Sequence, residues 1–184
     1  MHPPFLTPPV EPDRPAVSGR APLPSSTAVR DRFRRQKTRD TAPELALRRK
    51  VHALGLRYRV DVAPLPGGRR RADLVFSRAR IAVFVDGCFW HSCPVHATSP
   101  KSNAQWWRYK LERTVERDRE TDMALTAAGW LVVRVWEHED PKHAAQRVLD
   151  SWGSRSASPP VPPRLVLQED GEQGPAGPDA STHR

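Results

Sequence analysis

Ile81-Ala-Val-Phe-Val-Asp-Gly-Cys-Phe-Trp-His91 decides how this chain is read. Its first five residues are apolar without a break, the pattern of a strand covered on both faces and therefore central in its sheet. Working outward, Ala72–Phe76 is a second short apolar run, joined to the first by Ser77-Arg-Ala-Arg80, and the two read as a hairpin. Leu131–Trp136 reads as another buried strand, and Leu56–Val62, with Tyr58, Val60 and Val62 at alternate positions, as a fourth. Pro64–Arg71 is a Pro/Gly/Arg loop.

Helices fill the gaps between these runs. Thr41-Ala-Pro-Glu44 has the form of a capping box with proline in the first turn. The helix it opens would use Leu45, Leu47, Val51 and Leu54 as its apolar side and stop at Gly55. Asn103–Ala128 is a long charged helix with Trp107, Leu111, Val115 and Leu125 spaced for one face, ended by Gly129. Pro141–Trp152 closes the domain. The expected order is α-β-β-β-α-β-α, an α/β domain with a mixed central sheet flanked by helices.

Proline sets the expected boundaries. Of 20 prolines, eight lie in residues 1–29 and six in residues 154–184, and neither segment has an apolar run able to form a core. Both read as disordered tails around a folded domain of residues 30–153, which contains every Cys and Trp. The 184 residues carry 30 Lys and Arg against 21 Asp and Glu, a net charge of +9, which favours a polyanionic partner such as nucleic acid. No apolar stretch approaches the roughly 20 residues of a membrane span, and no leader pattern opens the chain. With two cysteines it is not a secreted disulfide scaffold. The expectation is a soluble, cytoplasmic, monomeric protein with no membrane role.

Cys88 and Cys93 lie close to His96, and His138 follows the strand Leu131–Trp136. If that strand neighbours Ile81–Val85, His138 leaves the sheet at the same end as Cys88. Two thiolates and two imidazoles complete a closed tetrahedral zinc site, whose role is structural because no position is left for water. The other reading is two incidental cysteines near a surface histidine.

Phosphodiester hydrolysis needs a cation on the phosphate, an activated water and help for the leaving oxygen. Asp73 opens one strand and Asp86 ends the next, so adjacent strands would bring both carboxylates to one site; alternatively both are strand-end turn residues. His91 suits general acid or base work near neutral pH, or else joins the zinc set. Glu44 is either a further acid or a helix cap. Phe89-Trp90, Trp106-Trp107 and Phe33, the last inside the basic run Arg30–Lys37, are aromatics of the kind that stack on bases or wedge between them. Trp130, Trp136 and Trp152 are expected in the core.

Thr38-Arg-Asp-Thr41, Leu65-Pro-Gly67, Asp73, Val85-Asp-Gly-Cys-Phe-Trp-His91, Glu116-Arg-Asp118, Gly129-Trp130 and Val135-Trp-Glu137 together resemble the very short patch repair endonucleases of bacteria. The similarity spans about residues 30–153. It implies a restriction-endonuclease-like core, a structural zinc, and magnesium-dependent nicking 5′ of the thymine in a T:G mismatch. By that resemblance Asp73 and the Val85 carbonyl are magnesium ligands, His91 is the catalytic histidine, and Glu44 is an acid near the active site. Phe89, Trp90 and Trp107 fall where the family inserts rings beside the mismatch, and Phe33 where an N-terminal helix reaches the other groove. Cys88, Cys93, His96 and His138 fall at the zinc set. Other repair proteins are possible partners, and the proline-rich tails are one place for such contacts.

The chain departs from the family's familiar pattern at Val85-Asp86, where a threonine and a histidine are usual. Asp86 is therefore read as a second candidate magnesium ligand, which leaves His91 as the one catalytic imidazole. Histidine at 138 and the longer Cys88–Cys93 gap also differ. Two other functions compete: a restriction-type enzyme cutting matched or modified duplex on the same core, and a zinc-stabilised DNA-binding module without catalysis. Asp73 and His91 together argue against the second.

Overall fold

The computed structural model describes residues 21–157. It contains α1 (Thr27–Arg35), α2 (Ala42–Ala53), β1 (Arg59–Val62), β2 (Ala72–Phe76), β3 (Ile81–Asp86), α3 (Ala104–Ala127), β4 (Leu131–Trp136) and α4 (Pro141–Ala157). The two proline-rich tails read from the sequence fall mostly outside the described residues, although α1 begins at Thr27 and α4 runs to Ala157. The four strands form one sheet in the order β1-β2-β3-β4. The first three are antiparallel, and β4 lies parallel to β3. A parallel pair needs a long crossover, and α3 supplies it.

Both faces of the sheet are covered, which explains why β3 is apolar throughout. On one face Leu47 and Val51 of α2 and Ala144, Ala145 and Val148 of α4 pack on Leu74, Phe76, Ile81, Val83, Val133 and Val135. On the other, Leu125 of α3 meets Val75, Ala82, Phe84 and Val132. Leu74, Ile81 and Val83 are wholly buried, each contributing about 1.5–3 kcal/mol of hydrophobic stabilisation. Only glycine takes the left-handed conformation that ends α3 without strain: Gly129 sits at φ +80°, and the Trp130 N–H turns back onto the Leu125 carbonyl at 2.9 Å.

Four local expectations are corrected. The element order read from periodicity lacks α1, the N-terminal helix that the family resemblance alone implied at Phe33; it buries none of its residues, and its few apolar side chains stand among arginines. The capping box at Thr41 does not form: the Thr41 hydroxyl donates to the Glu44 carboxylate (2.8 Å), and Glu44 also takes the Asp40 N–H (3.0 Å). The inner face of α3 is polar at its centre, where Thr114 rather than Val115 is buried. Trp152 is 38% exposed rather than in the core, because α4 buries nothing beyond Val148; at about 1.5 Å per residue its last turns project past strands this short.

Candidate active site and metal centre

Because β2 and β3 are antiparallel, the start of one lies beside the end of the other, so Asp73 and Asp86 meet at one end of the sheet. The backbone pairing of β2 with β3 runs from Phe76–Ile81 to Leu74–Val83. Beyond it Asp73 Oδ2 accepts the Val85 N–H at 2.7 Å, a side chain standing in for the ladder. In an extended strand a residue's N–H and C=O point to the same side, so the Val85 carbonyl is directed toward Asp73 as well. Among the described residues none donates to Asp73 Oδ1. Burial pushes the Asp73 carboxyl up to about 6, with the Val85 N–H and Arg48 opposing and the charges of Glu44 and Asp86 adding to the rise. Asp73 is itself only partly exposed and shares its surroundings with two other acids, Glu44 and Asp86.

Glu44 is 6% exposed, and both its oxygens are engaged: Oε1 by Thr41, Oε2 by the Asp40 N–H and by Arg48 Nη2 at 3.0 Å. It ties the Thr38–Thr41 turn to α2 and adds negative charge next to Asp73. Asp86 is 3% exposed, and Arg134 Nη1 donates to both of its oxygens, at 2.9 and 2.8 Å.

His91 lies in the loop after β3, its N–H bonded to the Gly87 carbonyl at 3.1 Å. Its Nδ1 stands 2.6 Å from Asp118 Oδ2 on α3 and 3.5 Å from Asp86 Oδ1. Asp118 is held below its ordinary carboxylate value: burial opposes this, but the hydrogen bond and charge of His91 and the charge of Arg134 prevail. An ionised carboxylate only accepts, so Nδ1 carries the proton and Nε2 is left for the reaction. Burial alone would lower the His91 pKa, but the Asp118 hydrogen bond and the charges of Asp86 and Asp118 outweigh it and raise the value.

Beyond His91 the loop folds back on the end of β4. β4 parallel to β3 brings His138 to Cys88, with Sγ and Nδ1 3.0 Å apart. Cys93 Sγ lies 3.9 Å from His96 Nδ1 and 3.8 Å from His138 Nδ1. One ligand atom from each of Cys88, Cys93, His96 and His138 falls within 4.8 Å of all the others. Both thiols are buried and unpaired as disulfides, and burial, with Cys93 and Glu137 nearby, pushes Cys88 up to about 11. Two buried thiols beside an acid demand a cation before both can ionise, and a tetrahedral N/S set suits zinc. The carboxylates gathered around Asp73 are oxygen donors and suit magnesium instead. Glu137 Oε1 accepts the Cys88 N–H at 2.6 Å and braces the loop.

The five rings singled out in the sequence are brought together. Phe33 of α1 stacks on Trp107 at 5.6 Å and meets Trp90 edge-on at 6.0 Å. Phe89 contacts Trp90 and Trp107 at 5.1 and 5.2 Å, and Trp106 adjoins Trp107. This cluster is the anchorage of α1, whose arginines Arg30, Arg32, Arg34 and Arg35 stay exposed.

The profile of the family described as DNA mismatch endonuclease Vsr matches residues 27–96. The type II nicking enzyme V.NaeI of Lentzea aerocolonigenes is 42% identical over 137 residues, 73% of this chain and 82% of that protein. The chain belongs to the Vsr endonuclease family. The DNA mismatch endonuclease Vsr of Escherichia coli (strain K12) is 40% identical over 101 residues, 54% of this chain and 63% of that protein. The type II nicking enzyme V.XorIIP of Xanthomonas oryzae pv. oryzae is 40% identical over 105 residues, covering 56% and 74%. Among solved structures, the catalytic domain of homing endonuclease I-Bth0305I aligns with a TM-score of 0.43 at 17% identity, over 63% of this chain and 98% of that one.

Family membership makes this a DNA endonuclease. Asp118, Arg134 and Asp122 gain a role only in the folded structure, Asp118 being otherwise visible as the last residue of the Glu116-Arg-Asp118 motif. One signal was there: Arg134 is the single charge in an otherwise apolar strand.

Proposed function

We propose that this chain is a magnesium-dependent nicking endonuclease that cuts one strand of duplex DNA 5′ of the thymine in a T:G mismatch, working as a monomer on a restriction-endonuclease-like core. The observation that carries this reading is the His91–Asp118 pair at the same end of the sheet as the partly buried Asp73 carboxylate. Asp73 and the Val85 carbonyl would hold magnesium, which when bound supplies positive charge to the scissile phosphate and the leaving oxygen.

The chain's own residues do the rest. Asp118 fixes the ring and tautomer of His91, so that Nε2 faces the phosphodiester and exchanges a proton with the attacking water or the departing oxygen. The same carboxylate, with Asp86, keeps the imidazolium available as acid. Asp86 itself, with both oxygens on Arg134, serves His91 by its charge rather than as a metal ligand. Glu44 holds the loop beside Asp73. Cys88, Cys93, His96 and His138 would hold zinc, pinning the loop that carries Phe89, Trp90 and His91. The exposed arginines of α1 suit phosphate contacts, and the rings Phe33, Phe89, Trp90 and Trp107 suit stacking at a base step that mispairing has already weakened. The names of the relatives, nicking enzymes and a mismatch endonuclease, support this choice of substrate.

The test is a labelled duplex with one T:G pair. Wild type should nick the thymine strand on its 5′ side only when magnesium is present, and Asp73→Ala should bind the duplex without nicking it. Absence of magnesium-dependent nicking on any duplex would leave a zinc-stabilised binding module as the better account.

A further inference from the structure

Arg134 lies on the face of β4 that meets α3, between Val132 and Trp136. Its guanidinium is engaged on every edge. Nη1 holds both oxygens of Asp86 at 2.9 and 2.8 Å; Nε reaches both oxygens of Asp122 at 3.2 and 3.0 Å; Nη2 reaches Asp122 Oδ1 at 2.9 Å and the Asp118 carbonyl at 3.4 Å. Nη2 also stands 3.7 Å from Asp118 Oδ1, and the cation lies 5.0 Å from the centre of the Phe84 ring. The two oxygens of Asp118 are therefore divided: Oδ2 takes His91 and Oδ1 faces Arg134.

We propose that Arg134 is a positioning residue for the nicking reaction, bridging Asp86 on β3 to Asp118 and Asp122 on α3 and so fixing the carboxylate that orients His91. The inference rests on the nuclease reading above and extends it to a residue whose guanidinium is already taken up by the protein's own carboxylates. Three acids converge here, and Asp86 is almost wholly buried. Without the central cation they would repel one another across the gap between sheet and helix, and Asp118 would turn away from His91. Apolar contacts through Leu125 and Val132 already hold α3 to the sheet, so a half-buried cation is not needed for adhesion; what it adds is a fixed geometry. The planar fork matters as much as the charge, because a lysine ammonium cannot face three carboxylates from one plane.

The experiment compares wild type, Arg134→Leu and Arg134→Lys in single-turnover nicking at saturating enzyme, with duplex affinity and the His91 Nδ1–H proton resonance recorded for each. Arg134→Leu should bind the mismatched duplex within about threefold of wild type but nick it about 100-fold more slowly, the scale of a misplaced catalytic group. Its downfield His91 N–H signal, the signature of the bond to Asp118, should be lost or shifted. Arg134→Lys keeps one positive charge in the fold and should recover only part of the rate. If Arg134→Leu is unfolded, the lysine variant carries the test. Rates within threefold of wild type in the folded variants, or an unchanged His91 resonance, would overturn the inference. A wild type that does not nick would instead overturn the nuclease reading, leaving the resonance to report on Arg134 by itself.

Discussion

Asp73→Asn should make the magnesium-free protein more stable while abolishing nicking. The Asp73 carboxyl is raised from 3.8 to about 6 by burial and by Glu44 and Asp86. At about 1.4 kcal/mol per tenfold change in proton affinity, keeping that carboxylate ionised in the fold costs ~3 kcal/mol. Asparagine removes the charge, but burying its amide donors without partners offsets about 1 kcal/mol. The net gain of about 2 kcal/mol corresponds to a melting temperature higher by ~6 °C for a domain of this size. The sign follows from the direction of the shift. The folded protein holds this proton more tightly than the unfolded chain, so the cost is absent below about 3.8, grows as pH rises toward 6 and is complete above 6. The advantage of Asp73→Asn over wild type should therefore be largest near pH 8 and shrink as pH falls through that window. Urea unfolding of both proteins, zinc retained and magnesium omitted, measures it. Added magnesium should then raise the midpoint of wild type and leave the variant unchanged. A variant no more stable at pH 8, or a gain independent of pH, would refute the argument that a buried charge is held here at the expense of the fold.

Three further outcomes are expected. His91→Ala and Asp118→Asn should each lower the single-turnover nicking rate by about 10²–10⁴ with duplex affinity little changed, as loss of proton transfer or of its orientation requires. Stripping zinc with a chelator should lower the melting temperature and open the buried Cys88 and Cys93 to thiol reagents; unchanged melting and silent thiols would remove the structural-metal claim. Phe33→Ala, which releases the ring that α1 lays on Trp107, should lower affinity for a T:G duplex more than for a matched one, read by tryptophan fluorescence on titration with each; equal losses would make Phe33 a structural anchor only.

Much of the fold could be read along the chain because its strongest signals are local. β3 falls on the apolar run after Arg80, and β4 on Leu131–Trp136 with one charge, Arg134, because strands covered on both faces are apolar nearly throughout. The metal cluster was legible for a different reason: three ligands lie within one loop, and a single topological assumption, β4 beside β3, adds His138. α1 was not legible as a helix from periodicity, since its attachment is one ring, Phe33, set among arginines. Asp118 and Arg134 were hidden because their meaning arises only when α3 crosses the sheet. Thr114, Asp118 and Asp122 occupy inward positions that in an ordinary amphipathic helix would be apolar, and a reading that looked for leucines along that face passed over them. Asp86 shows the same limit: the sequence places it beside Asp73, but only the packed structure puts an arginine on both its oxygens.

The central claim concerns substrate, and one measurement addresses it most directly: single-turnover nicking of two duplexes identical except for T:G or T:A at one position, with magnesium. The account predicts cleavage of the thymine strand 5′ of the mismatch at a rate at least about 100-fold above that of the matched duplex, given the few kcal/mol that separate unstacking of paired and mispaired bases. Equal rates on the two duplexes would contradict it and identify instead an endonuclease of matched DNA built on the same site.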